Sequence, residues 1–109
     1  MFDYLKFNNE MYQTKDTPKQ ALDTYKIDLD PEIDEYKLFH EDYESKWVEP
    51  TDTFFGGIEK YNFRWRQCNH FTGEIRFYRT IDYQAGVYEE YSAYFYNGIL
   101  KELHLIKNG

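Results

Sequence analysis

A chain with one cysteine, Cys68, closes no disulfide within itself and lacks the paired thiolates that a structural zinc site uses. Three histidines, His40, His70 and His104, add too few donors for a metal centre to be expected, so no metal ligand is assigned. No apolar run approaches the roughly 20 residues that span a bilayer. The opening MFDYLKFNNEMYQ has neither the basic start nor the apolar stretch of a secretory signal, so a cytoplasmic protein without membrane association is expected. Three prolines and six glycines leave no low-complexity linker, which predicts a single domain over residues 1–109. Also missing are the glycine-rich phosphate loop, the dinucleotide fingerprint, the nucleophile elbow and the H-E-x-x-H pair. Without them no cofactor and no catalytic residue is predicted, and an enzyme is the disfavoured class. Cys68 and His70 stand one residue apart, but a reactive thiol needs a base in reach and a thiolate-favouring environment. Cys68 is read as a small packed hydrophobe at a strand end.

Aromatic residues are abundant instead: twelve Tyr, nine Phe and two Trp make 21% of the chain, which speaks against intrinsic disorder. Their spacing predicts strands. Tyr61, Phe63 and Trp65 alternate with Lys60, Asn62, Arg64 and Arg66, the period of a strand with one face buried and one wet. FFGG at 54–57 supplies a turn before it, and NHFTG at 69–73 is expected to reverse the chain into GEIRFYRT, with Ile75 and Phe77 inward. A turn at 82–86 leads to a strand with Tyr91, Ala93 and Phe95 on one face. Asn97-Gly98 then signals a hairpin, because both central residues of a type I′ turn need positive φ. The closing ILKELHLIK is read with Leu103 and Leu105 inward. Residues 58–107 thus read as a four-stranded antiparallel meander. YLKF, MYQTKD and LDTYKID predict three shorter strands, broken by the DTPK stretch.

Residues 31–48 allow two readings. Asp30-Pro31-Glu32 suits a helix start, and Ile33, Tyr36, Phe39, Tyr43 and Trp47 fall near helical spacing. EYKLFH and SKWVEP also alternate as strands about an acidic turn, which is the preferred reading. The expected fold is all-β, a bent antiparallel meander of six or seven strands; the alternative is α+β with one short helix near 31–47.

Charge is unevenly laid out. Between Asp28 and Glu49 nine acids face only Lys37 and Lys46, so this segment carries the whole net charge of −7. Either it is a solvated edge that keeps a tyrosine-rich domain dispersed, or its carboxylates and aromatics dock a basic protein surface. The second reading selects Asp34, Glu35, Tyr36, Phe39, Glu41, Asp42, Tyr43 and Trp47. A rival places nucleic acid on a basic aromatic hairpin at 60–79, through Lys60, Arg64, Arg66, Arg76 and Tyr78. The net negative field opposes phosphate, and pairing of these arginines with Glu74, Glu89, Glu90 or the acidic segment is the plainer expectation. A third possibility is a structural component that self-associates through an uncovered edge strand.

The blocks MFDYLKF, MYQTKDTP and LDTYKID, with TGEIRFYR and EEYSAYFYNGILKELHLI, resemble small proteins encoded by bacteriophages and prophages. The resemblance spans about half the chain in short blocks. It implies a phage or mobile-element origin, action in the cytoplasm of a bacterial host, and no particular reaction. Certain relatives carry paired, metal-binding cysteines in the front block; here none stand there, so no metal site carries over. The expected function is non-catalytic protein binding by a phage accessory protein that modulates a host nucleic-acid-handling or defence component.

Overall fold

The computed structural model describes residues 2–17, 22–53 and 55–108. Pro18 and Lys19 of the DTPK stretch and Phe54 of FFGG lie outside them. The described chain is all-β, with eight strands: β1 Asp3–Phe7, β2 Glu10–Thr14, β3 Thr24–Asp30, β4 Glu35–Val48, β5 Gly57–Gln67, β6 Gly73–Asp82, β7 Val87–Tyr96 and β8 Ile99–Asn108. In the sheet they run β3-β1-β2-β6-β7-β8-β4-β5, and a further pairing of β3 with β4 closes the first seven into a ring. β1 and β3 are parallel, Tyr4 opposite Thr24; all other pairs are antiparallel. β5 stands outside the ring, joined only to β4 in the sheet.

The core follows from alternation. Leu5, Tyr12, Tyr25, Ile27, Leu38, Ile75, Phe77, Ala93 and Phe95 point inward from β1, β2, β3, β4, β6 and β7 and are buried. Each large side chain withdrawn from water contributes about 1.5–3 kcal/mol. Phe77 stacks on Tyr91 at 5.5 Å and meets Tyr12 edge-on at 5.0 Å, arrangements that suit the ring quadrupoles. Buried polar groups are satisfied: Asp3 accepts from the Thr17 hydroxyl and from the Asp23 N–H at 2.8 Å, and Thr14 donates to the Arg76 carbonyl at 2.7 Å.

The closure depends on the Asn97-Gly98 turn, which has positive φ at both residues, as the sequence predicts. Lys37 opposite Ile99 is the one ladder pair between β4 and β8. The turn's own backbone supplies the rest. Gly98 donates its N–H to the Phe71 carbonyl at 2.7 Å and accepts from the Leu38 N–H at 2.9 Å, while Cys68 N–H donates to the Leu38 carbonyl at 3.0 Å. A Cβ on Gly98 would lie 2.4 Å from the Cys68 carbonyl oxygen. Only glycine fits that junction.

Several expectations change. There are eight strands rather than six or seven, one pair is parallel, and the order is a closed ring rather than a meander. Residues 31–34 form a turn and 35–48 one continuous strand, so both the helix near 31–47 and the acidic turn within HEDYES give way to extended chain. The ladder to β3 holds β4 extended up to His40, and the ladder to β5 carries it on from Phe39 through the acids. Only β6, β7 and β8 form the predicted meander. β5 pairs back onto β4, and β6 pairs with β2 and β7, so 60–79 is not a hairpin. Leu103 and Leu105 are 37% and 49% exposed, because the outer half of β8 runs past β4 and has no layer opposite it. The Cα radius of gyration is 16.5 Å, against about 13 Å for a compact chain of this length. The excess comes from ribbons that project beyond the ring.

Candidate functional site

The longest projection is the β4–β5 ribbon, and its two faces have different chemistry. From Phe39 opposite Gln67 to Asp42 opposite Arg64 the register is regular; it then slips, and Glu44 faces Tyr61. The extra residue on β5 is Asn62, at φ +54°. This is a β-bulge, which inverts the alternation of everything on one side of it. Phe39, Glu41, Tyr43 and Trp47 of β4 therefore share the outer face with Ile58, Lys60, Phe63 and Trp65 of β5. Tyr61, Arg64 and Arg66 fall on the reverse face with Asp42, Glu44 and Lys46. Side-chain contacts follow this division. Tyr43 meets Phe63 at 5.7 Å and carries Lys60 over its ring at 4.4 Å, while on the reverse face Lys46 lies over Tyr61 at 5.6 Å.

The outer face is aromatic and largely open. Trp47 is 61% exposed, Ile58 70% and Phe63 55%, with Phe39, Tyr43 and Trp65 half-buried. Towards the ring, Lys26 sits 4.6 Å from the Trp65 ring and 5.2 Å from Phe39, and Lys6 5.8 Å from Trp65. Cation–π contact holds these ammoniums against the rings.

On the reverse face Asp42 is clamped by Arg66 at 2.5 Å and Arg64 at 3.6 Å. Partial burial opposes its ionisation, but the Tyr43 N–H and the two guanidiniums outweigh it and hold the carboxyl below the usual carboxylate range. Asp30, at the β3–β4 turn, is also lowered, first by Lys37 and then by the Glu32 N–H.

The eight residues selected for protein docking are thus divided. Phe39, Glu41, Tyr43 and Trp47 come together on the outer face, Asp34, Glu35 and Tyr36 lie at the β3–β4 turn and the start of β4, and Asp42 faces away, neutralised. Of the acidic segment, Glu32, Asp34, Glu35, Glu41, Glu44 and Glu49 enter no ion pair among the described residues, and Glu44 accepts a hydrogen bond from the Asn62 amide. The nucleic-acid set is not assembled. The bulge separates Lys60 from Arg64 and Arg66, and β7, β8 and β4 stand between β5 and the strand bearing Arg76 and Tyr78. Arg76 pairs with Glu74 at 2.8 Å, and Arg79 with Glu89 at 3.2 Å. Sequence alternation missed Ile58 and Phe63 as surface residues, since it assigned Phe63 to a buried face. The only available signal was the asparagine in mid-strand, a residue that tolerates positive φ.

Cys68, His40 and His70 do converge, with Tyr25, Gln67 and Asn69, on a cleft of about 370 Å³. Asp23 orients the His40 imidazole at 3.0 Å, and Tyr25 stacks on it at 4.6 Å. Burial pushes the Cys68 thiol up to about 11, so it is not a thiolate at neutral pH. Cys68, His40 and His70 do not stand so as to hold one metal ion, and no other group of three donors does among the described residues; no helix among them is long and apolar enough to cross a membrane. No family model, curated protein or solved structure matches the chain.

Proposed function

We propose that the chain is a non-catalytic binding protein that docks a basic polypeptide surface with the outer face of the β4–β5 ribbon and the acidic β3–β4 turn. The observation that carries this reading is two features set along β4, exposed aromatics on the β4–β5 ribbon and carboxylates without ion pairs, most of them at the β3–β4 turn at the other end of the strand. Trp47, Ile58 and Phe63 stay in water, and six carboxylates of the same segment have no ion pair among the described residues. Aromatic anchors hold a partner, and uncompensated charge steers it in. Asp42 drops out of the surface proposed from sequence and becomes a ribbon-stiffening residue. Together with the phage-like blocks, the reading describes an accessory factor of a phage or mobile element, acting in the bacterial cytoplasm on a host nucleic-acid-handling or defence component by occupying a groove built for phosphates.

The test is to identify a partner by affinity capture from the bacterial host and then titrate the purified partner. Reversing Asp34, Glu35 and Glu41 to Lys should weaken binding about tenfold or more and flatten its salt dependence. Trp47→Ala should act through a faster off-rate. Unchanged affinity in both variants overturns the proposal, as does tighter binding of a single-stranded oligonucleotide than of any protein.

A further inference from the structure

We infer that the free edge of β5 is a homodimer interface, on which β5 of a second copy adds in antiparallel register about a two-fold axis between Asn62 and Phe63. β5 is the last strand of the sheet and pairs with β4 alone, so its other edge presents backbone N–H and C=O groups along eleven residues. Proteins ordinarily blunt such an edge with proline, charged side chains, a bulge or a covering segment. This edge has no proline, and among the described residues no strand of the sheet covers it; its charges are of both signs, and its bulge turns away a regular strand but not one carrying the same bulge.

The bulge makes the edge self-complementary. An unbroken strand pairing with its own copy keeps faces matched only when the axis passes through a residue, and an axis through Asn62 would set Lys60 against Arg64. The extra residue moves the face-matched axis to the gap between Asn62 and Phe63. Glu59 then stands opposite Arg66 of the second copy, Lys60 opposite Trp65, Tyr61 opposite Arg64 and Ile58 opposite Gln67, and each pair shares a face. No like charges stand directly opposite each other across the ladder. Arg66 shares the Asp42 carboxylate with Arg64 and so has a guanidinium edge left for Glu59, whose own partner Lys46 is at 3.7 Å. Lys60 over Trp65 repeats a contact that Lys26 already makes with that ring at 4.6 Å. A two-fold contact of this kind uses one patch on both copies and closes without growing into a fibre. It joins two outer aromatic faces edge to edge and stands whether or not a further partner docks there.

Sedimentation equilibrium of the full chain tests the inference. The wild type should dimerise, and Glu59→Arg or Arg66→Glu alone should raise the dimer Kd about tenfold, since two opposite-charge pairs become two like-charge pairs. An equimolar mixture of the two variants should restore the dimer, because each reversed charge meets its complement. Amide exchange across β5 in the wild type should slow as concentration rises, a readout that needs no substitution. A wild type that stays monomeric up to millimolar concentration overturns the inference, as does a mixture that fails to re-associate. Rescue of Glu59→Arg by Arg64→Glu in place of Arg66→Glu overturns this register.

Discussion

The seven-stranded ring and the β4–β5 ribbon are built from the same kind of sequence, aromatics alternating with charges, yet they use it in opposite ways. In β6 and β7, Ile75, Phe77, Ala93 and Phe95 repeat every second residue and are sealed from water. In β5, Tyr61, Phe63 and Trp65 repeat with the same period and are left at the surface, on two different faces. The difference lies in what stands opposite. The ring folds its sheet over so that each inward side chain meets another strand, whereas the ribbon has a ladder partner and, beyond the Lys6 and Lys26 ammoniums over its inner rings, no strand stacked on it among the described residues. Alternation therefore encodes a strand, and closure decides whether either face is dry. Aromatics without closure are available for contact with another molecule.

The sharpest test of that contrast is a pair of truncations. Phe77→Ala should cost about 3–5 kcal/mol in chemical denaturation, the range for a buried phenylalanine, and Phe63→Ala less than about 1 kcal/mol. Equal costs would mean that the ribbon is packed as the ring is. Gly98→Val comes next at about 3 kcal/mol, because a branched side chain must hold φ +80° with its Cβ against the Cys68 carbonyl. A neutral Gly98→Val would place the ring closure elsewhere.

A smaller effect probes the rim of the ring, where the Tyr12 hydroxyl donates to Glu89 at 2.5 Å and Arg79 donates to the same oxygen at 3.2 Å. Burial and the Glu89 carboxylate push the Tyr12 phenol up to about 12, and the Tyr12 bond, ahead of Arg79 and against burial, holds Glu89 below 4.5. The two groups give opposite limbs. Stability from Tyr12 is complete below its unfolded value near 10 and is lost as pH climbs through about 12. Stability from Glu89 is complete above its unfolded value and is lost as pH falls through its lowered folded value. Tyr12→Phe should cost about 1–2 kcal/mol near neutrality and remove the alkaline limb from the melting profile. An alkaline limb unchanged in that variant would assign it to another tyrosine.

Much of the ring was legible residue by residue. The inward sets of β6 and β7, the Asn97-Gly98 turn and the three short leading strands all follow from local period and turn chemistry, which act over a few neighbouring residues. The acidic strand was harder, because Glu41 to Glu44 read as a turn, whereas the ladder to β5, taking over where that to β3 ends, holds it extended. The surface proposed for docking was half visible: Phe39, Glu41, Tyr43 and Trp47 do share a face, while Asp42 looked like their equal and proved to be the clamp for Arg64 and Arg66. The basic set failed for one reason, since a single inserted residue at Asn62 reverses which side chains are neighbours.

By itself the sequence determined an all-β chain rich in aromatics, with its net charge confined to one segment and glycine at the turn where only glycine fits, because propensity, period and turn geometry are properties of neighbouring residues. Only the tertiary structure decided which strands meet, that β3 and β4 close a ring while β5 is left outside it, and which carboxylates have an ion-pair partner. Those outcomes depend on pairings between residues far apart along the chain and on the phase of one bulge, and neither is written in any local stretch.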